Sequence, residues 1–115
     1  MTENKFNIKD TILAVDINEA TQAVKENRFK DAINLLKISL KDNPDHIDSL
    51  YLAGVCSRYL KNFADATKYI ESLLLHAPDM GRAYQELAHI NRDMGNEEKS
   101  ISNYRQACEL NPALI

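Results

Sequence analysis

The chain contains very few of the residues that make tight turns. Its 115 residues include three glycines and three prolines. An all-β sandwich or barrel needs a turn about every ten residues, and therefore many more turn-forming residues. Gly54, Gly81 and Gly95 are also too far apart to form a phosphate-binding loop. The composition predicts an all-α protein in which long helices are joined by short connections.

Other scarcities exclude several classes of function. Two cysteines, Cys56 and Cys108, cannot supply a disulfide framework or a four-cysteine zinc site, and we interpret both as small core residues. The net charge is −3, and the basic residues are dispersed rather than gathered into the stripe that nucleic acids require. The longest aliphatic runs, 12–15 and 73–75, are too short for a membrane span or signal peptide. We predict a cytoplasmic protein that binds neither nucleic acid nor membrane.

The three prolines reveal an internal repeat. Pro44, Pro78 and Pro112 are 34 residues apart, and each ends a helical pattern. Small residues recur 24 and 12 positions before each proline: Ala20, Gly54 and Ala88, then Ala32, Ala66 and Ser100. A small side chain allows two helix backbones to approach closely, so these positions predict the helix crossings of successive hairpins.

This period resembles the tetratricopeptide repeat family, whose 34-residue unit is a helix–turn–helix. The residues that match best are Leu50, Ala53, Gly54, Ala66, Pro78, Tyr84, Leu87, Ala88, Ala107 and Pro112. The resemblance implies a right-handed α-solenoid of three repeats. These would be a degenerate first repeat over 11–44 and regular repeats over 45–78 and 79–112, with an N-terminal tail over 1–10 and the start of a continuation or cap over 113–115.

The first unit departs from the family pattern because Asp16 and Glu19 stand where apolar residues are expected. One interpretation is an atypical end repeat that faces water. We favour the other, in which the first helix is rotated so that its apolar side chains face inward. Those side chains are Leu13, Ile17, Ala20 and Val24.

The apolar pattern predicts six helices, over about 11–26, 29–42, 45–60, 63–76, 79–94 and 97–110. Asp45 and Asp79 directly follow prolines and are expected to cap the third and fifth helices through their carboxylates. Asn27 and Gly95 suit the left-handed residue that ends a helix.

No catalytic or metal-binding constellation is apparent. His46, His76 and His89 lie on separate elements of such a fold, and we interpret the first two as solvated residues at helix ends. No Ser/His/Asp set or nucleophile-elbow pattern occurs. The segment is therefore predicted to be non-enzymatic and to need neither metal nor cofactor.

The resemblance also implies a binding surface, because in this family the first helix of each hairpin lines a concave groove. The groove residues would be Tyr51, Leu52, Val55, Arg58, Tyr59, Arg82, Gln85, His89 and Arg92, beside Asp48, Glu86 and Asp93. The first helix would add Ile17, Thr21, Val24 and Lys25. Tyrosine and arginine often anchor protein interfaces, so the expected partner is a peptide or protein segment.

Two competing interpretations concern the same residues. Tyr51 and Tyr59 could instead pack between repeats, and Arg58 and Arg92 could form ordinary surface ion pairs with local acids. Within the family, some domains hold a chaperone's C-terminal carboxylate through basic and amide side chains. The corresponding positions here are Ile17, Thr21, Leu52, Arg82 and Glu86. Only one is basic and one has the wrong sign, which argues against that ligand.

The end of the chain suggests further partners. Pro112 is followed by three apolar residues, whereas solenoids usually close with a polar cap. We expect either continuation into a longer protein or a homodimer formed through this uncapped edge. A fainter resemblance, to repeat arms joined to bacterial sulfotransferase-like domains, gives an alternative role as the regulatory or substrate-presenting arm of a larger bacterial enzyme.

Overall fold

The computed structural model describes residues 17–114. Helix α1 is present as helical residues 17–25. The following helices are α2 (Phe29–Asp42), α3 (Ile47–Tyr59), α4 (Phe63–His76), α5 (Gly81–Asp93) and α6 (Glu97–Leu110), and a 3₁₀ turn covers Pro112–Leu114. The described residues contain no strand, as the scarcity of turn-forming residues predicts.

The predicted bounds are confirmed for α2, α4 and α6, but α3 and α5 each begin two residues later than expected. The prediction that Asp45 and Asp79 cap these helices is wrong. His46 is the N-cap of α3, and its Nδ1 accepts a 3.3 Å hydrogen bond from the backbone N–H of Ser49. At α5 the N-cap is Met80, which makes no side-chain capping bond. Asp45 instead lies 3.1 Å from the His76 ring.

The turns inside the hairpins follow the 34-residue period. Asn27 and Gly95 have φ angles of 60° and 85°, which confirms their predicted left-handed conformation. Lys61, midway between them, has a φ of 65°. Sequence inspection misses Lys61 because a long-chain residue rarely adopts this conformation. The repeat thus imposes the same backbone turn whatever the side chain.

Successive helices pack in order and form one elongated molecule of 55 × 27 × 22 Å. A first core cluster contains Ala23, Leu36 and Cys56, from α1, α2 and α3. A second contains Leu50, Ile70 and Ile90, from α3, α4 and α5. Leu40 and Tyr69 pack against both clusters and make the core continuous. This stack of hairpins is the α-solenoid that the repeat predicts.

The predicted crossing positions are confirmed as close contacts. Four alanines, Ala20, Ala32, Ala66 and Ala88, are fully buried. In the last hairpin the Ser100 hydroxyl donates a 2.9 Å hydrogen bond to the Ala88 carbonyl, so the serine satisfies its polar atom at the crossing. A Cβ atom on Gly54 would overlap Ile70 Cδ1 and lie 2.7 Å from Ile70 Cγ1. Only glycine fits at that crossing without displacing a neighbour.

The two ends of the described chain bear on further predictions. Ile17 and Val24 pack against the first cluster while Glu19 is exposed, which confirms the rotated first helix; Leu13 and Asp16 lie outside the described residues. At the other end Leu114 is half-buried, and a Cβ on Gly81 would lie 3.2 Å from its Cδ1. The 3₁₀ turn therefore packs back onto α5 and covers part of the edge that was expected to be bare.

Candidate functional site

The helices α3 and α5 form the inner layer of the stack. These two helices contact each other although they belong to different hairpins. In contrast, within residues 17–114, no Cα atom of α2 lies within 8 Å of one in α4, and none of α4 lies within 8 Å of one in α6. A layer whose helices are closer together lies on the inside of a curve, so the candidate groove lies along α3 and α5.

The apolar part of this face is only partly available to a ligand. Tyr51, Leu52 and Val55 are all half-buried. Tyr51 packs against the second core cluster and Leu52 against the first. Burial is the main cause that raises the pKa of the Tyr51 hydroxyl. Tyr51 thus has the packing role between repeats that one interpretation of the sequence assigned to it.

Tyr59 is the most accessible aromatic side chain on this face. Its ring stacks on Phe29, with ring centroids 4.5 Å apart and an interplanar angle of 1°. The Arg58 guanidinium carbon lies 4.6 Å from the Tyr59 centroid, within the range of a cation–π contact. Tyr59 nevertheless remains 53% exposed, so one side of this stack faces solvent.

Arg58 does not face the groove as an exposed cation. Its side chain is 9% exposed, and its Nε donates to a carboxylate oxygen of Glu86, which is itself 3% exposed. A second donor, Nη1, donates a 3.3 Å hydrogen bond to Asp93 Oδ2. Arg58 pairs with Asp93, an acid that the ion-pair interpretation includes, but the pair is not an ordinary surface one, because α5 of the next hairpin covers the guanidinium and also supplies Glu86. The same pairing removes Glu86 from the exposed surface.

The charge states in this ion pair follow from burial and pairing. Burial lowers the pKa of Arg58, but the hydrogen bond and charge of Glu86 raise it by more, so the arginine stays charged. Burial raises the pKa of Glu86, and Arg58 offsets this only in part. Burial opposes ionisation of Asp93, yet the hydrogen bonds and charges of Arg92 and Arg58 together lower its pKa. The charges of Arg58, Glu86 and Asp93 are thus paired with one another within the molecule.

His89, Arg92 and Tyr104 form a second polar group beside the first. His89 Nδ1 lies 2.6 Å from the Tyr104 hydroxyl, and Arg92 NH1 donates to that hydroxyl at 3.3 Å. Arginine can only donate, so the Tyr104 hydroxyl accepts from Arg92. The hydroxyl can then donate its own proton to His89 Nδ1, which accepts it. Burial, and then the charges of Arg58 and Arg92, lower the pKa of His89. His89 is therefore neutral near pH 7.

The remaining α5 residues present polar groups to solvent. Arg82 is exposed and forms no ion pair with any residue in 17–114. Gln85 is half-buried and donates a 3.4 Å hydrogen bond to the Leu114 carbonyl. Arg92 is 55% exposed and pairs with Asp93 at 3.1 Å, as the surface ion-pair interpretation expects. Tyr59, Arg82 and Arg92 are thus accessible on this face, beside the exposed carboxylate of Asp48.

The histidines and cysteines offer no reactive centre among the described residues. His76 is 41% exposed, as expected, but His46 is half-buried because it caps α3. No three His, Cys, Asp or Glu side chains in 17–114 lie close enough to hold a metal ion. Cys56 is a core residue, and burial followed by the charge of Glu86 raises its pKa to about 12. Its thiol stays protonated and unreactive.

Sequence reasoning missed Tyr104 and misplaced Glu86. Tyr104 lies on α6, the second helix of its hairpin, where no groove residue is expected. Nothing local marks Glu86 as a buried partner, since Arg58 lies 28 residues earlier in the chain.

None of the helices within the described residues is long and apolar enough to cross a membrane.

Comparison with known proteins identifies the fold and the family. Two tetratricopeptide repeat families match, over residues 23–90 and 81–114. No curated protein matches the chain. Among solved structures, MamA MSR-1 superposes with a TM-score of 0.79 at 21% identity, over 90% of this chain and 59% of that one. MamA from Desulfovibrio magneticus RS-1 gives 0.78 at 22% identity, over 87% and 56%.

At these identities the solved structures show the fold alone. This chain spans about three fifths of the length of those MamA chains. The family matches together cover residues 23–114 and include the hairpins whose crossings and turns repeat every 34 residues. The chain belongs to the tetratricopeptide repeat family.

Proposed function

We propose that the protein is a non-catalytic interaction module in the cytoplasm that binds a peptide or protein segment along the α3 and α5 face, without a cofactor. The observation that supports this most is the accessible set on that face. Tyr59 is 53% exposed, Arg92 is 55% exposed, and Arg82 is exposed with no ion-pair partner in 17–114. Tyrosine and arginine combine large contact area with hydrogen-bonding groups.

The structure changes which residues of the groove are proposed to bind. Arg58 is held by Glu86 and Asp93, so we assign it a supporting role beneath Tyr59. Tyr51, Leu52 and Val55 are half-buried and supply an apolar floor. Gln85, His89 and Arg92 supply the polar wall, and Arg82 is its one arginine without an ion-pair partner in 17–114. A ligand with an apolar side chain and a nearby acceptor group fits this arrangement.

A matched pair of variants tests the groove. Tyr59→Ala combined with Arg82→Glu removes the exposed ring, together with its contact to Arg58, and reverses the charge of Arg82, while Glu86 and Asp93, the acids that pair with Arg58, stay unchanged. The control is Lys37→Glu, an exposed charge reversal on α2. Partners cross-linked to each variant would be quantified by mass spectrometry, and binding of each partner's contact peptide would be measured by calorimetry. Loss of binding at least tenfold greater in the groove variant supports the proposal; equal affinities in both variants contradict it.

Two alternatives stay predictions. Self-association is favoured by the apolar residues exposed on the last hairpin, Ile101 at 49% and Leu110 at 38%. It predicts a mass that rises with concentration in sedimentation and that charged replacements at Ile101 and Leu110 abolish. A mass that stays monomeric at high concentration contradicts it. The alternative role as an arm of a larger enzyme depends on the length of the natural reading frame.

A further inference from the structure

A cavity lies on the side of the molecule opposite the candidate groove. It is a cleft of about 400 Å³ between α4 and α6, with α5 as its floor. Thr67 and Glu71 line it from α4, Leu87 and Asn91 from α5, and Ser102 and Asn103 from α6. Sites for small ligands typically measure about 300–1,000 Å³, so the cleft can hold a side chain or a compact ligand.

The cleft and the groove are formed by different faces of α5. Leu87, Asn91 and Met94 line the cleft and lie four and three residues apart, on one face of α5. Gln85 and Arg92 lie about half a helical turn away, on the groove side. Binding in the cleft therefore does not depend on binding in the groove.

The internal repeat shows why this cleft exists. The residue 34 positions before Asn103 is Tyr69, which is half-buried and packs against both core clusters. The residue 34 positions before Thr67 is Ile33, which is 8% exposed and part of the first cluster. Two apolar side chains that fill space at one repeat position are thus replaced by two smaller polar ones at the next. The cleft occupies a position where the previous repeat has a phenol ring.

The floor of the cleft has hydrogen-bonding capacity to spare. Asn91 Nδ2 donates to the Leu87 carbonyl at 3.1 Å and to Asn103 Oδ1 at 2.8 Å, which fixes both amides. Asn91 Oδ1 receives only a long 3.5 Å bond from Asn96. The two Nδ2 hydrogens of the Asn103 side chain have no acceptor among residues 17–114. An acceptor and a donor therefore lie side by side, next to the apolar surfaces of Leu87 and Met94.

The walls favour an uncharged ligand. Glu71 lines the cleft from α4 and Lys99 from α6, so the two walls carry charges of opposite sign. A ligand of either net charge would be attracted by one wall and repelled by the other. A neutral ring with one hydroxyl matches the floor better, since the ring covers Leu87 and Met94 while the hydroxyl both donates and accepts.

We propose that the cleft between α4 and α6 binds a tyrosine side chain presented by a partner protein. The ring would take the space that Tyr69 fills at the preceding repeat position. The hydroxyl would donate to Asn91 Oδ1 and accept from Asn103 Nδ2. The protein would then have two interaction surfaces, one on each side of the helical stack.

The test uses N-acetyl-tyrosinamide as the probe and follows the Asn91 and Asn103 side-chain amides by NMR. We expect saturable shifts of both amides, and binding about fivefold weaker for N-acetyl-phenylalaninamide because it lacks the hydroxyl. Asn103→Tyr should fill the cleft from within, abolish the shift of the remaining Asn91 amide and raise the melting temperature. Gln106→Tyr, at an exposed position on the same helix, is the matched control and should keep the response.

Three outcomes would overturn the proposal. These are no saturable shift at either amide in the wild type, an unchanged Asn91 shift in Asn103→Tyr, and equal affinity of the wild type for the tyrosine and phenylalanine probes. If Asn103→Tyr loses helicity, Asn103→Ala serves instead, because it keeps the space and removes the donor. That variant should then discriminate less between the two probes, because only the hydrogen bond to Asn91 Oδ1 is left.

Discussion

At the scale of single residues, the α5 face is defined by which charges are already satisfied. Arg58 is neutralised by Glu86 and Asp93, and Arg92 shares Asp93 and the Tyr104 hydroxyl. A ligand would therefore meet a neutral histidine and one arginine, Arg82, that has no ion-pair partner in 17–114. The sequence predicts the residue types on this face, but not the full charge balance, because the acids that pair with Arg58 come from another hairpin.

The state of His89 predicts a dependence of stability on pH. Because the folded pKa of His89 lies below the value of about 6.5 in the unfolded chain, the unfolded state takes up the proton first as pH falls. The free energy of unfolding should thus decrease as pH falls through that value. Groups facing the ring are Arg58, Arg92, Asp93 and the Tyr104 hydroxyl. Urea denaturation at about pH 7.5 and about pH 5.5 measures the change.

His89→Gln isolates this contribution. The glutamine can still accept from Tyr104 but does not titrate, so the variant should lose less stability between the two pH values than the wild type does. Glu86, whose raised pKa acts in the opposite direction, is present in both proteins and cancels in the comparison. Gln85→Ala, on the same helix face, should behave like the wild type. An unchanged pH dependence in His89→Gln would show that another group is responsible.

At the scale of helices, the sequence predicts the helix ends that recur with the 34-residue period and misses the caps that differ between repeats. The ends of α2, α4 and α6 follow from the apolar pattern and the prolines. The start of α3 does not, because the cap is made by a histidine ring and Ser49 rather than by the aspartate after the proline. At α5 the corresponding cap, Met80, has no side-chain acceptor. The residue that caps a helix depends on local contacts, so the 34-residue period does not predict it.

The crossing of α3 and α4 gives the clearest prediction at this scale. Gly54→Leu should force the two helices apart and lower the free energy of unfolding by about 1–3 kcal/mol through overpacking. The physical reason is the overlap that any Cβ would make with Ile70, a fully buried side chain. Chemical denaturation with urea gives the magnitude.

Two further variants make the Gly54 prediction specific. Gly54→Ala should also destabilise, although alanine favours helices, and Ile70→Val in the same chain should relieve part of the loss by removing the overlapping Cδ1 atom. Gly95→Ala is the comparison at a position where no atom lies within 4 Å of the added Cβ and only the positive φ opposes it. A higher melting temperature in Gly54→Leu would show that the helices do not cross there.

At the scale of the whole molecule, the stack depends on contacts between neighbouring hairpins. In a solenoid each unit is stabilised by its neighbours, so an interface can be weakened without unfolding everything. The 34-residue period predicts this architecture from the sequence alone. The connection between the second and third hairpins, however, includes the Arg58 and Glu86 ion pair, which joins α3 to α5. Long-range pairing of this kind has no periodic signal.

Breaking this pair should uncouple the last hairpin. Glu86→Gln keeps the side-chain shape but leaves the buried Arg58 with Asp93 alone, and should lower the free energy of unfolding by about 3 kcal/mol. Hydrogen exchange followed by mass spectrometry should show faster exchange in α5 and α6 than in α2. Asp31→Asn, which removes a carboxylate from an exposed pair with Arg28, is the isosteric control and should leave exchange unchanged. A uniform increase over all helices in Glu86→Gln would instead mean that the described stack unfolds as one cooperative unit.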